Sequence, residues 1–343
     1  MIRVAIAATC VVVAACAPRN VQAEPAQLAF LGGDEFPTGM QFRDTTVGGL
    51  SGITYDPDRQ VYYVISDDKS EHNPARFYTM RIPLTDSGIG DVEFVDTHAW
   101  QDVSGVLDPE DIAFDRQRQV LYWSSEGDDS WIRIAGLDGS YRGEFTLPPI
   151  LERTPDERSG PRFNAGLEGL TLTPSGQFVW AAMEEPGYND GDPATADTGA
   201  LTRVTKFDVA SRAAVAQYAY PLDPIPAPRG DANGLTALVA LDDDTFLTVE
   251  RSHGTHNVAR VYRTEVGGAQ DVLNLSSLRG ADPAPMSKSL MADLSVTAGA
   301  PALDNLEGIT LGPALPGGRQ SVVLVSDNNF NPAQVTQILA FAM

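Results

Sequence analysis

Beyond residue 48 the chain alternates short apolar runs with polar breaks. The runs are rich in Val, Tyr, Phe, Trp and Thr, and the breaks in Gly, Pro, Asp and Asn. Nothing after the first twenty residues carries the periodicity of a long amphipathic helix, so the pattern predicts an all-β fold. Five segments align: LSGITYDPDRQVYYVISDD from Leu50, PEDIAFDRQRQVLYWSSEGD from Pro109, LEGLTLTPSGQFVWAAMEE from Leu167, ANGLTALVALDDDTFLTVER from Ala232 and LEGITLGPALPGGRQSVVLVSDNN from Leu306. Each reads as a strand, a polar turn and a second strand that closes on an acid.

A third strand follows in each unit, at RFYTMRI from Arg76, WIRIAGL from Trp131, RVTKFDV from Arg203, RVYRTEV from Arg260 and QVTQILAF from Gln334. A fourth is visible in VEFVDTHAW from Val92 and AVAQYAYPL from Ala214. Three or four antiparallel strands per repeat predict a β-propeller, with an irregular β-sandwich as the alternative. Five repeats are recognisable, and residues 270–301 are read either as an insertion or as a sixth blade. The last unit ends at its third strand, so AQLAFLGG at 26–33 is expected to supply its outer strand and close the ring.

The alignment places acids in two columns. The position before the Gly-aliphatic pair holds Ser51, Glu110, Glu168, Asn233 and Glu307, with Asp111 in place of the Gly in the second unit. The end of the second strand holds Asp67, Glu126, Glu184, Glu250 and Asp327. Equivalent positions of successive blades lie on a ring about the axis, so these carboxylates are expected to converge at one mouth of the channel. Like charges crowded in a low dielectric repel, and a divalent cation offsets that. Oxygen ligands with no Cys and few His favour a hard ion, Ca²⁺ first and Mg²⁺ or Mn²⁺ next. Arg76, Arg203 and Arg260 open three of the third strands and offer guanidinium forks for phosphate or carboxylate. The alternative reading makes the acids structural, paired with those arginines. Lys69 and Asn328 flank the second column, His253 and His256 offer a proton donor, and the acidic loop at 188–197 is a weaker Ca²⁺ candidate.

A net charge of −22 argues against nucleic acid, whose phosphates require Lys and Arg. Residues 1–23 read as an export signal, with Arg3 before an apolar stretch from Val4 to Val13, and residues 24–343 as one propeller domain. VAAC, ending at Cys16, resembles a lipobox, which makes Cys16 the lipidation site and the protein a periplasmic or outer-membrane-attached lipoprotein. Val21-Gln22-Ala23 is the alternative, an ordinary cleavage site. Cys10 and Cys16 are the only cysteines, so the mature fold has neither a disulfide nor a Cys metal site. No G-x-S-x-G, P-loop or H-E-x-x-H occurs.

The repeated L-[SE]-G-[IL]-T, the DPEDIAFD at 108–115, the ERS at 250–252 and the closing NLEGIT and VSDNN resemble the phytase-like domain family, described as esterase-like activity of phytase and found in exported bacterial proteins. The resemblance implies a β-propeller and Ca²⁺-dependent hydrolysis of phosphoesters. The expectation is a monomeric, exported hydrolase of a small phosphoester or related ester. Glu110, Glu168, Glu307, Glu126, Glu184, Asp67 and Asp327 would ligate the metal. Glu250 is the expected general base, because its partner Asn233 is not an acid, and Arg76, Arg203 and Arg260 are expected to stabilise developing charge. A propeller lactonase or sugar-ester hydrolase, and a non-enzymatic envelope lipoprotein binding a ligand or a protein, are the alternatives.

Overall fold

The computed structural model describes residues 28–101, 107–126, 130–228 and 230–343. The expected export signal and Cys16 lie outside the described residues. Five four-stranded antiparallel sheets stand around an axis. Blade 1 runs outward through Leu50–Asp56, Val61–Ser66, Arg76–Arg81 and Glu93–Ala99. Blade 2 comprises Pro109–Asp115, Val120–Ser125, Trp131–Gly136 and Tyr141–Glu144. Blade 3 comprises Leu167–Leu172, Phe178–Met183, Ala200–Asp208 and Ala213–Leu222. Blade 4 comprises Gly234–Ala240, Thr245–Ser252, Val258–Glu265 and Ser287–Asp293.

Blade 5 takes Asn305–Ala314, Gln320–Asp327 and Val335–Ala342 from the end of the chain, and Ala29–Pro37 from near its start as the outer strand. The ring therefore closes as the sequence predicts. Residues 270–301 are not a sixth blade. They carry the outer strand of blade 4 after a loop that docks on blade 3, where the Val272 amide bonds the Gln217 carbonyl at 2.7 Å.

The strands read as nearly unbroken apolar runs because both faces of each blade are covered. In the second strand of blade 1, Val61, Tyr63 and Ile65 join the core shared with blade 2, whereas Tyr62 and Val64 point into the seam with blade 5. Alternation with period two thus feeds two cores at once. One apolar cluster fills each of the five seams, and in the first the Trp100 and Trp123 rings stack at 4.4 Å. The recurring turn acids are structural: Asp56 and Asp115 each accept from an Arg three residues on and a Tyr seven residues on.

Around the axis the innermost strands pack against one another in ring order. Their approach demands small residues. A Cβ on Gly308 would lie 2.7 Å from the Ser51 carbonyl oxygen, and one on Gly52 would lie 2.5 Å from the Asp111 Cα. Asp111 ties the innermost strands of blades 2 and 3 together, its carboxylate accepting from the amides of Ile112 at 2.7 Å and Leu170 at 2.6 Å.

Candidate metal centre

Strand pairing fixes the true columns. In each innermost strand a bulge marks the first column, at Ser51, Glu307 and, in blade 4, Thr236. Leu50 faces Ser66, Leu306 faces Ser326, and Leu235 faces Glu250, so Glu250 corresponds to those serines and Arg251 to Asp67 and Asp327. Two hydrogen bonds repeat this register: the Ser51 hydroxyl donates to the Pro109 carbonyl at 3.5 Å and the Thr236 hydroxyl to the Leu306 carbonyl at 3.3 Å. The sequence alignment of blade 4 is therefore three residues out at Asn233. Ala237 holds the glycine position, and blade 4 carries no acid in either column.

The two columns open onto one cavity of about 490 Å³. Asp67, Glu110, Glu126, Glu168, Glu184, Glu307 and Asp327 all line it, with Lys69, Arg251 and His253. Glu110, Glu126 and Glu168 offer carboxylate oxygens within 4.8 Å of one another, and so do Asp67, Asp108 and Glu110. Glu110 belongs to both triads. Asp108 went unnoticed in the sequence because no other blade has an acid there, although it opens the DPED motif.

Burial and mutual repulsion push these acids upward. Glu126 reaches about 8, chiefly through burial and then through Asp108 and Glu184, against the Gly166 amide that donates to it at 2.6 Å. Glu307 also reaches about 8, through burial and Asp327. Asp327 rises to about 6, its burial partly offset by the Asn329 amide at 2.7 Å. Asp67, Glu110 and Glu168 move well above the ordinary carboxylate range, burial first and neighbouring acids second. Glu184 rises too, through burial, with Arg251 opposing.

Compensation is partial. Lys69 reaches Asp108 at 2.7 Å, and one Arg251 nitrogen reaches Glu307 at 3.0 Å and Glu184 at 3.3 Å. One oxygen each of Asp67, Asp108 and Asn305 is buried without a partner, as is the Arg251 Nε. A set of hard oxygen donors with unsatisfied buried oxygens fits a divalent cation. Arg251 also bonds the His253 Nε2. Because a guanidinium only donates, Nε2 accepts and Nδ1–H donates to the Asn257 Oδ1 at 3.3 Å. Burial and Arg251 hold His253 below its ordinary value, consistent with a neutral ring.

The other expected catalytic residues lie elsewhere. The Arg76 guanidinium is buried against Asp68 at 2.6 Å, the Tyr78 hydroxyl and the Thr46 carbonyl. Arg203 makes a bidentate pair with Asp190 at 2.6 and 2.7 Å, which also accounts for the first acid of the 188–197 loop. Arg260 pairs with Asp293 at 3.0 Å on blade 4. None of the three lines the mouth. Glu250 points into the seam between blades 3 and 4, where it accepts from the Tyr220 hydroxyl, the Asn233 amide and Lys288. It touches no group of the acidic cavity, so the general-base assignment has no geometric support.

Fold and site together define a five-bladed propeller whose axial mouth is lined by carboxylates. The profile of the family described as "Phytase-like: Esterase-like activity of phytase" matches residues 45–330, and the chain belongs to that family. No curated protein matches the chain. Solved structures similar to it include the catalytic domain of the Coprinopsis cinerea GH62 alpha-L-arabinofuranosidase, 8% identical over 93% of this chain and 98% of that one with a TM-score of 0.48. Another is the structure of U3-55K, 10% identical over 90% and 83% with a TM-score of 0.36.

Proposed function

We propose that the protein is a divalent-metal-dependent hydrolase of a small phosphate ester or related ester, with Ca²⁺ the preferred ion. The observation that carries this reading is the pair of acid triads sharing Glu110, facing Arg251 across one cavity. Asp67, Asp108, Glu110, Glu126 and Glu168 would hold the cation. A bound divalent ion supplies Lewis acidity, polarising an ester oxygen and easing loss of a proton from water.

The chain's own groups supply the remainder. Arg251 is the blade 4 guanidinium that lines the mouth, and it offers planar N–H donors for a substrate oxygen. Glu184, Glu307 and His253 fix its plane. Glu307, bonded by the Asn305 amide at 2.7 Å and by Arg251 at 3.0 Å, lines the cavity beside the triads and is the candidate acid-base group in place of Glu250. Lys69 and Arg251 are the only cations lining the mouth among the described residues, and both already contact carboxylates. That favours a substrate with one anionic group, or a neutral ester such as a lactone, over a polyphosphate.

Residues 1–23 would carry the export signal, with cleavage before Cys16 leaving Cys16 as the lipidated first residue that anchors the chain at the bacterial envelope, and residues 24–343 would form the propeller domain. Among the described residues no helix is long and apolar enough to cross a membrane. The test is a substrate panel of p-nitrophenyl phosphate, phytate, p-nitrophenyl acetate and simple lactones, assayed with Ca²⁺ and with chelator. Turnover that requires the ion supports the reading. Protein that retains no divalent ion, with activity and melting temperature indifferent to Ca²⁺ and chelator, overturns it.

A further inference from the structure

A second cleft of about 650 Å³ opens beside the acidic mouth, between blades 4 and 5. Its walls are the loop between the second and third strands of blade 4, its counterpart in blade 5, and the segment entering the innermost strand of blade 5. His253 and Asn329 line both cavities, so the cleft is continuous with the proposed reaction centre.

The chemistry of the two spaces differs sharply. The mouth is crowded with carboxylates, whereas the cleft presents Thr255, His256, Asn257, Asn329 and Gln334 around a small apolar shelf at Leu303. Among the described residues no Lys or Arg and no Phe, Tyr or Trp lines it. Its one carboxylate, Asp304, accepts from the Gln334 side chain at 2.9 Å and from the amides of Asn305 at 2.8 Å and Val335 at 2.7 Å. Amides, hydroxyls and an imidazole provide donors and acceptors without net positive charge. Such a lining satisfies a neutral ligand rich in hydroxyls, and it repels further phosphates, which would face Asp304 with no cation to balance them.

We infer that this cleft is the subsite for the alcohol portion of the substrate, and that it takes a neutral polyhydroxylated group, a sugar or other polyol, while the ester is held at the acidic mouth. The inference rests on the proposed hydrolase reading for its kinetic consequence but not for the binding itself. Thr255, His256 and Asn329 are exposed on the cleft wall, so ligand hydroxyls would replace water on them, and an analogue lacking hydroxyls forgoes those contacts and is discriminated against.

The experiment uses Ala333→Trp, which fills the cleft from its exposed wall and is remote from the acid triads, together with His256→Ala. Steady-state kinetics compare a sugar 6-phosphate with ethyl phosphate, both phosphate monoesters of a primary alcohol. The wild type should favour the sugar ester in kcat/KM by at least about tenfold. Ala333→Trp should erase that preference by raising KM for the sugar ester while leaving ethyl phosphate unchanged, and His256→Ala should reduce it partially. Equal kcat/KM for the two esters, or a preference untouched by Ala333→Trp, overturns the subsite. If neither ester is turned over, binding of methyl glucoside and of inositol, followed by saturation-transfer NMR, decides. Binding lost in Ala333→Trp upholds the subsite even though the hydrolase reading has failed, and no binding to the wild type overturns it.

Discussion

Glu250 and Arg251 are neighbours in one strand and serve opposite sides of it. The Glu250 carboxylate is enclosed by Tyr220, Asn233 and Lys288 in the seam between blades 3 and 4, while Arg251 extends into the acidic mouth toward Glu184 and Glu307. Alternation along a strand makes this separation unavoidable. Glu250→Gln should therefore cost stability of about 2 kcal/mol, since Lys288 keeps Asp223 as a partner at 2.8 Å, without changing kcat. Arg251→Met should raise KM for an anionic ester about tenfold or more while the protein retains its metal. Calorimetric unfolding and steady-state kinetics on the two variants separate these outcomes, and exchanged phenotypes would contradict the assignment.

Much of this architecture is legible in the amino-acid string. Repeated strand-turn-strand units gave the blade positions, and the incomplete last unit pointed to closure by residues near the start of the chain. Blade 4 misled because NGLT at 233–236 copies the letters of EGLT, whereas Ala237 had replaced the glycine that marks the register elsewhere. The arginine column was a geometric error of another kind. A third strand stands two spacings, roughly 10 Å, from the innermost one, so residues opening it face a blade seam or the rim more readily than the axis. Asp108 had no repeat to announce it, and only the packing of blade 1 against blade 2 brings it to Asp67.

Metal affinity should follow membership of the two triads. Glu110→Gln removes a ligand common to both and should weaken Ca²⁺ binding more than Glu168→Gln, by about a hundredfold relative to wild type. Isothermal titration at fixed pH provides the comparison. Equal, negligible effects would return both acids to a structural role.

The pH dependence of the metal-free protein has a definite sign. Glu126 and Glu307 lie at about 8 when folded against an ordinary 4.5, so the folded state binds protons more tightly than the unfolded one. Their contribution is fully favourable below about 4.5, declines as pH rises, and is lost by about 8. With chelator present, the melting temperature should fall across this interval. Saturating Ca²⁺ should flatten the slope, and its binding at pH 6 should release protons measurable by titration in buffers of different ionisation enthalpy. A chelated protein that grows more stable from pH 5 to 8 would contradict the burial of these acids.

Asp111 joins the innermost strands of the adjacent blades 2 and 3. Asp111→Ala strands the buried amides of Ile112 and Leu170 and should destabilise by about 3 kcal/mol, with Asp111→Asn recovering part of the loss because one acceptor oxygen remains. Thermal denaturation of both variants with Ca²⁺ present checks this. An unchanged midpoint for Asp111→Ala would show that the amides find other partners.

Envelope attachment can be examined separately. Under the proposed lipidation, Cys16→Ala should shift the protein from the membrane fraction to the soluble periplasmic fraction of the host, with turnover of the proposed ester substrates unaltered.

The strand Ala29–Pro37 lies against Val335–Ala342, so blade 5 is stitched from the two extremes of the described chain. During synthesis this early strand must wait, unpaired, until the last strand has been made. Blades 1 to 4 can form in order as they emerge, but the final clasp is a long-range event, and its entropy cost falls on the slowest step. Until then both flanks of the incomplete ring present open edges, and Glu307 and Asp327 of blade 5 are not yet set beside Asp67 of blade 1. The two triads come together in blades 1 to 3 beforehand, so what the closing circle adds is the repulsion of Glu307 and Asp327 upon Asp67, a strain that the last blade must overcome to dock.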